Sequence, residues 1–345
     1  MSAHHQGDGG GGDDAVAISD VAPRDGLQSV GPFVPTATKV ALVRALHEAG
    51  VRRMEVGSFV SPRAVPQMAD TAEVLAEALR LDGLECTVLV PNRRGFEAAA
   101  RSGAQRLGLF MSATESHNRA NVNRSRAESF ADLSALAREA LSGGLKVRFN
   151  LSCAFHCPFE GEVDEDEALD WVERAVALDE GLEIALADTT GNAAPDAVRR
   201  VMARAIGTWG DRARFAFHGH DTYGLGVANA VAAHAAGCRV FDGAAGGIGG
   251  CPFAPGATGN TATEDLAWAF ARMGVAVAGG GLDWGRLLAA ADLAAGIPGV
   301  TPGGRVRGVR GARAAERAGA VPVVALAAAV TSASATAGAA RGVAA

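Results

Sequence analysis

Short apolar runs rich in β-branched residues recur along the chain at Ala15–Ile18, Arg53–Val56, Cys86–Val90, Leu107–Met111, Val147–Leu151, Ile184–Ala187, Phe215–Phe217 and Val240–Phe241. Between them the apolar positions change period. Val40, Val43 and Leu46 fall on one helical face, with Gly50 as a stop. Val74, Leu75, Ala78 and Leu79 form a second stripe, and Phe130, Leu133, Leu136 and Ala140 a third, closed by Gly143 and Gly144. Leu169, Val172 and Val176 repeat the theme before Gly181, as do Val198, Val201, Met202 and Ala205 before Gly207. Apolar residues three and four apart bury one side of a helix, and glycine ends it cheaply. Strands alternating with helices at intervals of roughly 30 residues predict parallel βαβ units. Eight such units close into a (β/α)8 TIM barrel. An open doubly wound sheet is the alternative, but no G-x-G-x-x-G follows the first strand. A further helix is expected over Trp284–Ala295 as a short C-terminal extension, so the barrel domain is taken as 15–303.

Composition narrows the picture. Of 345 residues, 48% are hydrophobic and 20% charged, enough apolar material for a sizeable core. The net charge of −6, with no basic patch, argues against a nucleic-acid partner. Residues 1–14 are rich in Gly and Asp and lack the apolar stretch of a signal peptide. Residues 304–345 are mostly Ala, Gly, Arg, Val, Ser and Thr, and both ends read as disordered tails. The longest apolar run near the end, Val321–Val330, is too short to span a bilayer. Five cysteines without framework spacing suit a reducing cytoplasm. A homo-oligomer, as a dimer, is the expected assembly.

Barrel enzymes collect their chemistry where strands end. There the chain places Arg24-Asp25 after the first strand, Glu55 at the end of the second, Asp188 after the sixth, and His218-Gly-His220-Asp221 at the seventh. Cys251 and Asn260 follow the eighth. Residues i and i+2 of a strand share a face, so His218 and His220 can bind one metal, although a hydrogen-bonded core pair would give the same pattern. Asp25, His218, His220 and Asn260 make a mixed N/O set that suits Mg²⁺ or Mn²⁺ better than structural zinc. Arg24 can stabilise an enolate or thioester oxygen, or close the mouth as a salt bridge. Glu55 and Asp188 fit structural partnership with Arg24 and with neighbouring amides nearly as well as direct proton transfer. Cys251 lies in Gly246-Gly-Ile-Gly-Gly-Cys251-Pro252, where a thiol can act as acid or base. Cys153 and Cys157, with His156 between them, lack a fourth zinc ligand.

Arg24-Asp25-Gly26-Leu27-Gln28 resembles the R-D-G-L-Q signature of the 3-hydroxy-3-methylglutaryl-CoA lyase family. Ser58–Pro62 with Val65–Met68, Pro91-Asn92 with Gly95–Glu97, and Ser152–Ala154 with Cys157–Gly161 are similar to its successive βα loops. His220–Gly224, Gly249–Ala254, Gly256–Asn260 and Thr263–Asp265 continue the match in order. The resemblance implies Asp25, His218, His220 and Asn260 as ligands of a divalent metal (Mg²⁺ or Mn²⁺), and Arg24 as the enolate-stabilising group. It further implies Cys251 as a loop acid/base, and Glu55 and Asp188 as supporting carboxylates. Four places depart from the family pattern. Ser29-Val30-Gly31 stands for the usual Asn-Glu and Lys, His156 for Gly, Ala187 for Gly and Thr190 for an aliphatic residue. They sit near the mouth and bear on the acyl substituent.

The reaction implied is retro-Claisen cleavage of an acyl-CoA thioester, 3-hydroxy-3-methylglutaryl-CoA giving acetyl-CoA and acetoacetate, as in leucine degradation and ketone-body formation. His218 or Asp188 is the base, and Cys251 or water the acid. Citramalyl-CoA or a longer branched hydroxyglutaryl-CoA is the alternative substrate. An acetyl-CoA-condensing synthase would carry a regulatory domain that the C-terminal tail does not supply. A non-catalytic binding protein ranks last, because every expected ligand is present.

Overall fold

The computed structural model describes residues 14–250 and 259–309. Eight parallel strands close on themselves: β1 (Ala17–Asp20), β2 (Arg53–Ser58), β3 (Glu85–Leu89), β4 (Arg106–Ser112), β5 (Lys146–Ser152), β8 (Leu182–Asp188), β9 (Ala213–Gly219) and β10 (Val240–Gly243). β1 seals the barrel by pairing with both β2 and β10. All eight strands expected from the pattern are present, and the fold is a TIM barrel. One addition escaped the pattern: the antiparallel pair β6 (His156–Cys157) and β7 (Gly161–Glu162), inserted after β5. Strands of two residues are too short to show a period.

The outer layer is helical: α1 (Thr36–Glu48), α2 (Thr71–Ala78), α3 (Arg93–Arg101), α4 (Glu115–Val122), α5 (Arg126–Ser142), α6 (Glu165–Val176), α7 (Pro195–Trp209), α8 (Gly226–Ala235), α9 (Thr263–Arg272) and α10 (Trp284–Ala295). Most bury an apolar stripe, as Leu42, Val43 and Leu46 do on α1 and Val198, Val201, Met202 and Ala205 on α7. Start signals are local. Ser125 and Glu128 form a reciprocal capping box at α5, and Asp164 caps α6. No helix among the described residues is long and apolar enough to cross a membrane.

The barrel interior departs from the usual layers of branched aliphatics. Ala17, Ala185, Ala216 and Val240 form only a small apolar patch. Below it, at the strands' N-terminal ends, lies an ionic floor. Glu183 receives Arg53 and Arg106 at 2.7 Å each and Arg148 at 3.3 Å. Glu85 receives Arg53 at 2.9 Å, Arg106 at 3.0 Å and Lys146 at 3.3 Å. Although burial opposes charge there, Arg53 and then Arg148 and Arg106 hold the Glu183 carboxyl well below its ordinary range. Residues 304–309, assigned above to the tail, make defined contacts. Asp265 accepts the backbone N–H groups of Arg305 and Val306, and the Arg305 guanidinium reaches Asp221 at 3.0 Å.

Candidate active site

A cavity of about 430 Å³ opens at the C-terminal ends of the strands and is lined by Arg24, Asp25, Glu55, His218 and His220. Arg24 and Asp25 sit on a single π-helical turn, Ala22–Gly26, that follows β1 directly. The turn is compact because Gly26 lies against Ile248, where a Cβ would approach to 2.6 Å. Arg24 bridges two carboxylates, pairing with Asp25 through Nη1 and with Glu55 through Nε. Burial favours a neutral Asp25, yet Arg24, His220 and His218 together hold its carboxyl far below the ordinary range. Glu55 behaves oppositely: burial outweighs Arg24 and raises its pKa.

His218 is the penultimate residue of β9 and His220 follows directly after the strand, with ring centroids 5.1 Å apart. Asn260 bridges to His220 as an isolated β-pair and donates Nδ2–H to Asp25 at 2.8 Å. Its approach needs a glycine opposite, since a Cβ on Gly249, at φ +133°, would lie 2.6 Å from Asn260 Nδ2. Ligand atoms of Asp25, His218 and His220 all lie within 4.8 Å of one another, a group that can hold a metal ion. Asn260 Oδ1 is buried beside them with no hydrogen-bond partner among the described residues, as is His220 Nδ1. An orphaned carbonyl oxygen next to two imidazoles and a carboxylate fits a divalent cation.

Asp188 is placed differently from its expected role in proton transfer. Glu183, Ala185 and Ala187 alternate toward the barrel axis, so Asp188 faces the helical layer. Ala187 lines the cavity and Asp188 does not. Its oxygens accept Asn192 N at 3.1 Å, Ala193 N at 3.2 Å and Asn229 Nδ2 at 3.3 Å, which fixes the loop after β8. Cys251 lies outside the described residues. Two of the family departures explain each other: His156 Nδ1 and Thr190 Oγ1 hydrogen-bond at 3.0 Å, and neither lines the cavity. Cys157 Sγ accepts the Thr114 hydroxyl at 3.1 Å, and Cys153 and Cys157 are both buried.

The structure also brings in residues the sequence reading did not select. Asp242 from β10 and Asn150 and Ser152 from β5 line the cavity. Arg148 lies beneath, its Nη2 at 2.6 Å from Asp242 Oδ2 and its Nε at 2.9 Å from Asn150 Oδ1. Their signal was available: Lys146, Arg148, Asn150 and Ser152 occupy every second position of β5 with apolar residues between them, which marks a polar inner face.

A closed parallel barrel whose mouth gathers a buried arginine–carboxylate bridge and a metal-capable His/Asp/Asn group defines a barrel enzyme with its site above the strands. The chain belongs to the HMGL-like family, whose family model matches residues 15–294, and it is a carbon–carbon lyase. It is 43% identical over 289 residues to an (R)-citramalyl-CoA lyase of Chloroflexus aurantiacus, covering 81% of this chain and 90% of that protein. It is 44% identical over 255 residues to the hydroxymethylglutaryl-CoA lyase of Pseudomonas mevalonii, covering 73% and 83%. Among solved structures, an HMG-CoA lyase of Acinetobacter baumannii in complex with coenzyme A and 3-methylmalate superposes with TM-score 0.77 at 37% identity, covering 84% of this chain and 92% of that one.

Proposed function

We propose that the chain cleaves a carboxylated 3-hydroxyacyl-CoA, 3-hydroxy-3-methylglutaryl-CoA in the first instance, to acetyl-CoA and a 3-oxo acid. The observation that carries this is the Arg24–Glu55 bridge set directly beside the Asp25/His218/His220 group in one cavity, with Asn260 hydrogen-bonded to Asp25. Asp25, His218, His220 and Asn260 would hold the metal. A divalent ion there would supply the positive charge that acidifies the 3-hydroxyl and anchors the substrate carboxylate.

The protein's own groups do the rest. His218 Nδ1 is engaged by Asp242, so only Nε2 is left for the metal. Asp188 is turned away, and the hydroxyl proton therefore leaves to water. As the C2–C3 bond breaks, its electron pair moves onto the thioester oxygen. Arg24, fixed by Glu55 and Asp25, faces that developing charge without having to reorganise. Cys251 is proposed as the acid that protonates C2, its thiol being restored by the released proton.

A second reading is favoured by the Chloroflexus relative: citramalyl-CoA, with pyruvate as the second product. A panel of 3-hydroxyacyl-CoA esters assayed with Mg²⁺ or Mn²⁺ decides between them. Acetoacetate release supports the methylglutaryl ester and pyruvate the citramalyl ester. Absence of acetyl-CoA from every ester, or undiminished turnover after chelation, overturns the proposal.

A further inference from the structure

His218 does not stand alone at the site. Its Nδ1 lies 3.1 Å from Asp242 Oδ2, and the same oxygen accepts Arg148 Nη2 at 2.6 Å. Arg148 is 3% exposed and Asp242 6%. Three of the Arg148 nitrogens are committed, Nε to Asn150, Nη1 to Glu183 and Nη2 to Asp242. Asn150 is in turn tied to the backbone, donating Nδ2–H to Leu109 O at 3.0 Å. The guanidinium therefore cannot rotate without breaking contacts to β5, β8 and β10 together. Asp242 sits at the far end of that rigid fork and cannot leave His218.

We propose that Asp242, clamped by Arg148, is a positioning residue that fixes the tautomer and ring orientation of His218. A carboxylate accepts hydrogen bonds only, so Nδ1 must carry the proton. The unprotonated nitrogen is then Nε2, the only one that can bind a cation. With the opposite tautomer His218 would present N–H to the cavity and lose its value as a ligand. The fork reaches from the ionic floor to the mouth, so the ring is aimed by the barrel's own framework and no mobile loop is involved. The inference rests on the proposed metal role of His218, and its readouts do not require turnover.

The full-length chain, stripped of metal, is titrated with Mn²⁺ by calorimetry and by electron paramagnetic resonance. Asp242→Leu removes the acceptor, and metal affinity is expected to fall about 10–100-fold, the range for a lost partner of a ligating histidine. Asp242→Asn keeps an acceptor oxygen and recovers part of the loss, and it serves where the leucine variant folds poorly. Imidazole ¹⁵N spectra of the metal-free protein give a second readout. His218 shows the Nδ1–H tautomer in the parent and a tautomer mixture in Asp242→Leu. Glu85→Gln, whose carboxylate pairs with Arg53, Arg106 and Lys146 and does not touch Arg148, leaves metal affinity within about 2-fold on that scale. Unchanged affinity and an unchanged His218 tautomer in folded Asp242→Leu overturn the proposal. A protein that binds Mn²⁺ as expected yet cleaves no ester would overturn the proposed reaction and leave this inference standing.

Discussion

Glu183→Gln is the sharpest test of the ionic floor. The carboxylate is 3% exposed and holds three guanidinium groups, those of Arg53, Arg106 and Arg148. A neutral amide keeps the shape but leaves three buried cations with less anion to face. Arg53 and Arg106 retain Glu85, and Arg148 retains Asp242, so the network is weakened and not abolished. Removing one partner of a buried pair costs about 3–5 kcal/mol, because the charge left behind is poorly solvated. For a large domain about 1 kcal/mol moves Tm by roughly 2 °C, so a fall of ~6–10 °C is expected. Differential scanning calorimetry measures it, with steady-state kinetics at 20 °C as a control. Arg148 keeps its contacts to Asp242 and Asn150, so kcat is expected to suffer less than stability. A Tm shift below about 2 °C would refute the desolvation argument.

Two other expectations follow from buried acids near the loop after β10. Burial pushes the Glu264 carboxyl up to about 8 and that of Asp20 up to about 6. Both bind protons more tightly folded than unfolded, so the stability they lend is complete below the ordinary carboxylate range. It is lost as pH rises through about 6 and about 8. Tm should therefore decline from about pH 4.5 to about pH 8, more shallowly in Glu264→Gln; an identical slope in that variant would exclude Glu264 as the source. The second concerns length. A chain ended after Gly303 deprives Asp265, 7% exposed, of the Arg305 and Val306 N–H donors, costing about 1–3 kcal/mol. It should melt below a chain ended after Val309; equal melting temperatures would show that this docking contributes nothing.

The eight strands were legible because each is a short apolar run between helical stripes, and tertiary packing reinforces that periodicity. Helices such as α3, Arg93–Arg101, were less visible: only Gly95, Phe96 and Ala99 face inward among charged neighbours. The site candidates were legible because Arg24, Asp25, Glu55, His218, His220 and Asn260 all lie in or just after predicted strands. The sequence left Asp188 between proton transfer and a partner of neighbouring amides, because position after a strand does not tell which face a side chain takes. The floor was missed for a related reason. Arg53, Glu85, Arg106 and Glu183 lie far apart in sequence, and charged residues at strand starts read as solvent-facing. Only closure of the barrel brings them together, and only mutual pairing makes their burial tolerable.

Vectorial synthesis gives that floor a further consequence. Arg53, Arg106, Lys146 and Arg148 leave the ribosome with Glu55 and Glu85, but before Glu183 and Asp242. A nascent chain that has emerged only as far as β5 therefore carries inward-facing cations whose main counter-charges do not yet exist. Stacking such a half-barrel against another, or collapsing it on itself, would bury those cations at high desolvation cost. Inward-pointing charge on an open strand edge also blocks pairing with strangers. The penalty disappears when β8 and β10 deliver their carboxylates, so the same residues that lock the finished barrel keep its unfinished half from sticking.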